Sequence, residues 1–146
     1  SMTVSQISIF AQSKPGHLAR LLRVFETADV SVRGYSVGDT GEFGITRFIV
    51  DKPDEACKAL KAEGFAFATS EVICIELPDV PGELARVMEF LAERDQNVIY
   101  SYSMISTYII VATADIKATN DLLAESSFKT IDQSVIKEIN AGITER

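Results

Sequence analysis

Apolar residues recur along this chain in two rhythms, and each rhythm appears twice. Near the start, Ile7, Ile9 and Ala11 alternate with Gln6, Ser8 and Phe10, the period of a strand with one apolar face. Leu18, Leu21, Leu22 and Phe25 then fall at i, i+3, i+4 and i+7, which predicts an amphipathic helix with its stripe turned to a sheet. The β-branched and aromatic run Val30 to Val37 and the apolar run Gly44 to Val50 predict a hairpin. A second helix is expected where Asp51 precedes Pro53, with Ala56, Ala59 and Leu60 on its apolar face and Gly64 ending it. A short strand near Phe67 to Thr69 closes the set.

The order then begins again. Ile73, Ile75 and Leu77 alternate with Val72, Cys74 and Glu76, and Leu84, Val87, Met88 and Leu91 repeat the helical stripe. Val98 to Ile105 and Tyr108 to Ala112 predict the second hairpin. Asp115 opens a weaker helix carrying Leu122 and Leu123, and a last strand is expected near Thr130 to Val135. The segments KPGHLAR at 14–20 and VPGELAR at 80–86 share five of seven residues at an offset of 66. The expected class is therefore α+β: two tandem ferredoxin-like βαββαβ modules, residues 1–70 and 71–146, each an antiparallel sheet with helices on one face. Ile9, Leu22, Ile75 and Met88 should be buried at equivalent places.

At about 70 residues, each module is near the lower limit for a self-sufficient core, so the two should pack together. No Gly/Ser-rich or Pro-rich linker separates them. A sheet face left bare by its own helices, together with open strand edges, favours a homodimer.

Composition narrows the partners. The net charge is −7 and the basic residues are scattered, which disfavours nucleic acid and anionic membrane. The apolar runs are far shorter than the roughly 20 residues of a membrane span, and no signal core is seen, so a cytoplasmic location is expected. Ser1 ahead of Met2 reads as a processing remnant. Cys57 and Cys74 have no metal-type spacing and are expected as buried thiols. His17 is the only histidine, so no histidine cluster can form, and no nucleotide-binding, nucleophile-elbow or zinc motif occurs. No catalytic residue, metal or cofactor is assigned.

The strand, Pro-Gly loop and amphipathic helix, followed by Ser31-Val32 or Asn97-Val98 at the next strand, resemble the ACT domain. The loops are Ser13-Lys14-Pro15-Gly16-His17-Leu18-Ala19 and Asp79-Val80-Pro81-Gly82-Glu83-Leu84-Ala85. The segment VRGYSVGDTGEFGITRFIVDKP is similar to small stand-alone tandem ACT proteins. The resemblance implies a non-catalytic sensor that binds a small molecule, usually an amino acid, at the junction between modules. It implies ligand contacts from Ser13, Lys14, Pro15, Gly16, His17 and Leu18, and from Asp79, Val80, Pro81, Gly82, Glu83 and Leu84, with Asn97 joining across a junction.

The chemistry suits that role. A glycine at a helix start lets a ligand carboxylate approach backbone N–H groups that have no helical partner, and Asp79 can take an ammonium group. Ser13 offers only a hydroxyl, so the Gly82 loop is the better site, although Glu83 would repel a carboxylate unless it turns away. The plain structural alternative is that Pro-Gly only makes a turn and Asp79 only caps the helix. Tyr100 and Tyr102 should share a face with Val98 and Met104, while Arg33 and Arg47 should lie opposite Val32 and Phe48. Two other functions compete: a structural or regulatory subunit of a catalytic partner protein, like the acetolactate synthase small subunit, and a small enzyme using unrecognised carboxylate chemistry.

Overall fold

The structure is a computed structural model that describes residues 2–12, 14–40, 43–104 and 107–139. Its elements are β1 (Val4–Gln12), α1 (His17–Thr27), β2 (Val32–Thr40), β3 (Phe43–Val50), α2 (Pro53–Ala62), β4 (Ala66–Glu76), α3 (Glu83–Glu93), β5 (Val98–Ser103), β6 (Tyr108–Thr113), α4 (Ile116–Ala124), β7 (Lys129–Ile131) and α5 (Gln133–Glu138). The chain divides into two compact units. Among the described residues, the first module comprises Ser5–Ser70 with Ile136–Ile139, and the second comprises Glu71–Val135 with Met2–Val4. The cut falls between Ser70 and Glu71.

Strand order is β2-β3-β1-β4 in the first module and β5-β6-β4-β7 in the second. The two separate strands expected near residues 67–69 and 72–77 are one strand, β4, whose Ala66–Ser70 lies in the first module and Glu71–Glu76 in the second. Each module has the ferredoxin-like order, with helices on one face of an antiparallel sheet. In the first core, Ile7, Ile9, Phe48 and Val50 from the sheet meet Leu21, Phe25, Ala56 and Leu60 from the helices. In the second, Ile73, Ile75, Ile109 and Val111 meet Val87, Leu91 and Leu123.

The helical stripes are narrower than the pattern suggests. Leu21 and Phe25 are buried, as are Val87 and Leu91, but Leu22 is 39% exposed, Leu84 is 51% exposed and Met88 is half-buried. The expectation that Leu22 is a core residue is corrected, while Met88 packs against the second core only partly buried. A helix turns about 100° per residue, and with its i, i+4 pair centred on the sheet Leu22 and Leu84 fall off the buried arc and Met88 stands at its margin.

Two bulges at repeat-equivalent positions, between Val32 and Gly34 and between Val98 and Tyr100, reset the strand alternation. Val98 packs on the helix-side core, whereas Tyr100 and Tyr102 pair with Ala112 and Ile110 on the opposite face, so Val98 does not share the tyrosines' face. Arg33 occupies the first bulge and is buried. Its guanidinium donates to the carbonyls of Ile136 and Lys137 at 3.2 Å each and to the Ser31 hydroxyl at 2.6 Å. Those carbonyls lie in the last turn of α5, where helical partners run out and a cation is favoured.

The helix α5 replaces the far end of the strand expected at Thr130 to Val135. Asp132 begins it by accepting from the Val135 N–H and the Ser134 hydroxyl, bonds that hold its carboxyl below the usual range. Residues on the sheet faces away from the helices have low exposure as well. Gln6 and Ile49 in the first module, and Val72, Cys74 and Ile110 in the second, are almost completely buried.

Arg33→Met should destabilise the chain by about 1.5–3 kcal/mol, the range for hydrogen bonds to a charged group, with urea denaturation as the measurement. Leu21→Ala should cost about 2–5 kcal/mol as a core truncation, whereas Leu22→Ser should stay within about 0.5 kcal/mol as a surface change.

Candidate functional site

Both Pro-Gly turns are built by the backbone. Gly16 has φ 82° and Gly82 has φ 91°, and each forms the N-cap of the following helix with no side-chain capping bond. In the first turn the His17 N–H donates to Lys14 O at 3.1 Å, and the Arg20 N–H donates to Gly16 O at 3.0 Å. In the second, Glu83 N–H reaches Val80 O at 3.4 Å and Arg86 N–H reaches Gly82 O at 2.9 Å. The N–H groups between these positions, Leu18 and Ala19 or Leu84 and Ala85, have no intrahelical acceptor. Asp79 is therefore no helix cap, contrary to the structural alternative. It is exposed and has no partner among the described residues.

In the second module Asp79 stands at two adjoining concavities of about 330 and 470 Å³, which share Leu77, Pro78, Glu83 and Thr107. Glu83 turns onto Arg86, with oxygen–nitrogen distances of 3.3 and 3.2 Å, and Arg86 lies 4.3 Å over the Phe128 ring. The Glu83 charge is thereby paired within the first turn of α3.

The smaller cavity also holds a group that pattern reading missed. Glu76 sits mid-sheet at the end of β4, opposite Tyr108 on β6 and Lys129 on β7. Lys129 Nζ approaches Glu76 at 2.9 Å, and this hydrogen bond and charge raise the lysine's pKa. The Tyr108 hydroxyl is pushed up as well, first by burial and then by the Glu76 carboxylate.

The first module's turn is different. Lys14, Pro15 and Gly16 are exposed and Leu18 is half-buried. His17 packs on Phe65 with ring centroids 5.8 Å apart, and its Nε2 is buried without a hydrogen-bond partner among the described residues. Arg20 lies 4.8 Å over the same Phe65 ring. Ser13 lies outside the described residues. Asn97 does not join the second turn within its own module, because it follows the C-terminal end of α3 while Gly82 precedes the N-terminal end. Val80 and Leu84 are more than half exposed beside the turn.

Neither cysteine is set up for chemistry. Burial, and then the charge of Glu76, push the Cys74 thiol up to about 12, and burial followed by Asp54 raises the half-buried Cys57. Among the described residues no three of His, Cys, Asp or Glu gather as a metal-binding group, and no helix is long and apolar enough to cross a membrane.

With a disulfide reagent at pH 8, Cys57 should react slowly and Cys74 only after unfolding, as followed by thiol release. Gly82→Ala should cost about 1–2 kcal/mol, the penalty of placing a Cβ in left-handed backbone, even though nothing lies within 4 Å of where that Cβ would stand.

Residues 2–141 match the family model described as an ACT domain pair. Protein BT0572 from Bacteroides thetaiotaomicron is similar in structure, with a TM-score of 0.87 at 29% sequence identity over 93% of this chain and 96% of that one. The ligand-free regulatory subunit of aspartate kinase from Thermus thermophilus gives 0.60 at 19% identity, over 83% of this chain and 91% of that one. The regulatory subunit from Thermus flavus gives 0.56 at 17%, over 82% and 88%. These last two likenesses concern the fold alone. No curated protein matches the chain.

Proposed function

The chain belongs to the ACT domain pair family, and on that membership we propose that it is a non-catalytic regulatory protein whose second module binds a free amino acid at the Gly82 turn. The observation that carries this reading is the Asp79 carboxylate. It is unpaired among the described residues and stands at the mouth of a cavity beside unpartnered helix N–H groups. A zwitterion fits that pairing of chemistries, with its ammonium on Asp79 and its carboxylate on the Leu84 and Ala85 N–H groups. Glu83, already paired with Arg86, leaves the anion position open.

Binding acts as regulation only if the ligand prefers one arrangement of the protein over another. A second reading, a regulatory subunit of a biosynthetic enzyme, is favoured by the exposed Val80 and Leu84 next to the turn. Co-purification with a catalytic partner tests it. Self-association as a homodimer is part of the proposal. It is supported by the edge strand β2, where Tyr35 and Val37 are each 56% exposed. Sedimentation at micromolar concentration should show two copies, and a monomer unaffected by ligand would count against it.

Thermal shift against the standard amino acids identifies the ligand, and calorimetric titration locates it. Asp79→Ala should weaken binding by about 1–3 kcal/mol, and Ser13→Ala by less, because hydrogen bonds to charged groups exceed neutral ones. A larger loss at Ser13 would move the principal site to the first module.

A further inference from the structure

We infer that the first module carries the surface on which two copies of this chain meet, with β2 pairing antiparallel to β2 of a second copy about a two-fold axis at Ser36. This rests on the self-association read above and gives it a place in the fold. Among the described residues β2 pairs with β3 alone, so its other edge offers a row of backbone N–H and C=O groups. Tyr35 lies opposite Phe48 and Val37 opposite Thr46, which sets both on the helix-side face, yet both are more than half exposed. The crossover from β1 to β2 lays α1 over β3, and Phe25 of that helix meets Phe48 edge-on. Val24 and Ala28 on one flank of α1 face Ala59 and Ala62 of α2 across a groove, so Leu22 falls on the opposite flank, toward β2. Leu22, Tyr35 and Val37, all exposed, therefore border the same edge of the module.

The duplication shows that the fold itself does not require apolar side chains there. At the offset of 66, Tyr35 and Val37 become Ser101 and Ser103, which stand opposite Val111 and Ile109 on the helix-side face of the other edge strand, β5. Leu22 becomes Met88, which packs on its own core. Charge selects a second copy of the first module as the cover. Residues 71–135 carry the whole net charge of −7, because Lys and Arg balance Asp and Glu in 5–70 and again in 136–146. Two copies meet through their neutral modules without the repulsion that the second modules would bring, and residues 34–38 hold no charge at all. The strand is also complementary to itself. With Ser36 opposite Ser36, each Tyr35 meets Val37 of the second copy, an aromatic against a β-branched side chain made twice, and Gly34 meets Gly38. A register shifted by two residues sets Tyr35 on Tyr35 or Val37 on Val37 and leaves the other residue without an apolar partner. A shift by one turns the second copy's helices to the opposite face.

The test is sedimentation of the full chain at micromolar concentration, joined to disulfide trapping. Tyr35→Ser combined with Val37→Ser, the residues of the other edge, should raise the dimer dissociation constant at least about tenfold, whereas Ile99→Lys on β5 should leave it unchanged. Ser36→Cys in a Cys57→Ser background should cross-link to itself under mild oxidation, because directly opposed residues of antiparallel strands stand about 4.5–5.5 Å apart at Cα, within disulfide reach. Tyr35→Cys in the same background should not, since its counterpart is displaced by two residues along the strand. Melting by circular dichroism checks that each variant folds. A dimer that survives the double serine change, or one lost with Ile99→Lys alone, would overturn this surface while leaving self-association standing. Cross-linking at Tyr35→Cys in place of Ser36→Cys would overturn the two-fold at Ser36. A monomeric wild type would overturn the surface and the self-association together.

Discussion

A positive φ at the residue that starts the helix is the constraint on which the site depends. At Gly82 the backbone itself completes the strand-to-helix turn, so no side chain is drawn in to cap α3. Two consequences follow from that one dihedral. The helix N–H groups at Leu84 and Ala85 face outward without acceptors, and Asp79, which in an ordinary capped helix would satisfy them, is released. Space is not the reason for glycine, since an added Cβ would touch nothing; the backbone conformation is.

Electrostatics then decide what the open turn can hold. Surface ion pairs such as Glu83–Arg86 and Glu76–Lys129 contribute little to stability, commonly about 0–1 kcal/mol. Their importance lies in which charges they leave over. Glu83 follows Gly82 directly and would oppose any anion at the helix start, but its pairing with Arg86 one turn on removes most of that opposition. Arg86 in turn is positioned by the Phe128 face, which contributes attraction without supplying an acceptor that would compete for its N–H groups.

Much of this was legible in the chain, because the period of two and the period of 3.6 are both strong here. Ile7, Ile9, Ile73 and Ile75 fall in the cores where the alternation puts them, and the order of elements follows. Failures arose where a local event broke a period. The bulge after Val98 moved Tyr100 and Tyr102 to the other face, and the bulge after Val32 turned Arg33 from a face residue into a clasp on α5. The helix α5 was missed because six residues give too little periodicity, although Asp132 ahead of it is an N-cap signal. Glu76, Tyr108 and Lys129 could not be joined from sequence: they meet only because β4 pairs on both sides, a relation that no local spacing encodes.

The two halves show what duplication preserves and what it releases. Arg20 and Arg86 are equivalent at the offset of 66, and each lies over the phenylalanine preceding its module's last strand, Phe65 or Phe128. The packing scaffold of the turn is thus common to both. The charges upon it are not. His17 occupies the place of Glu83 and rests on Phe65 instead of pairing with the arginine, Lys14 stands where Val80 does, and Ser13 stands where Asp79 does. A helix start flanked by Lys14 and Arg20 attracts an anion but offers no carboxylate for an ammonium group, so it meets only half of a zwitterion. On the proposed reading the second turn offers both halves, because Glu83 is paired and Asp79 is left free among the described residues to take an ammonium group. The proposed inequality of the two turns therefore rests on charge carried on an otherwise repeated scaffold.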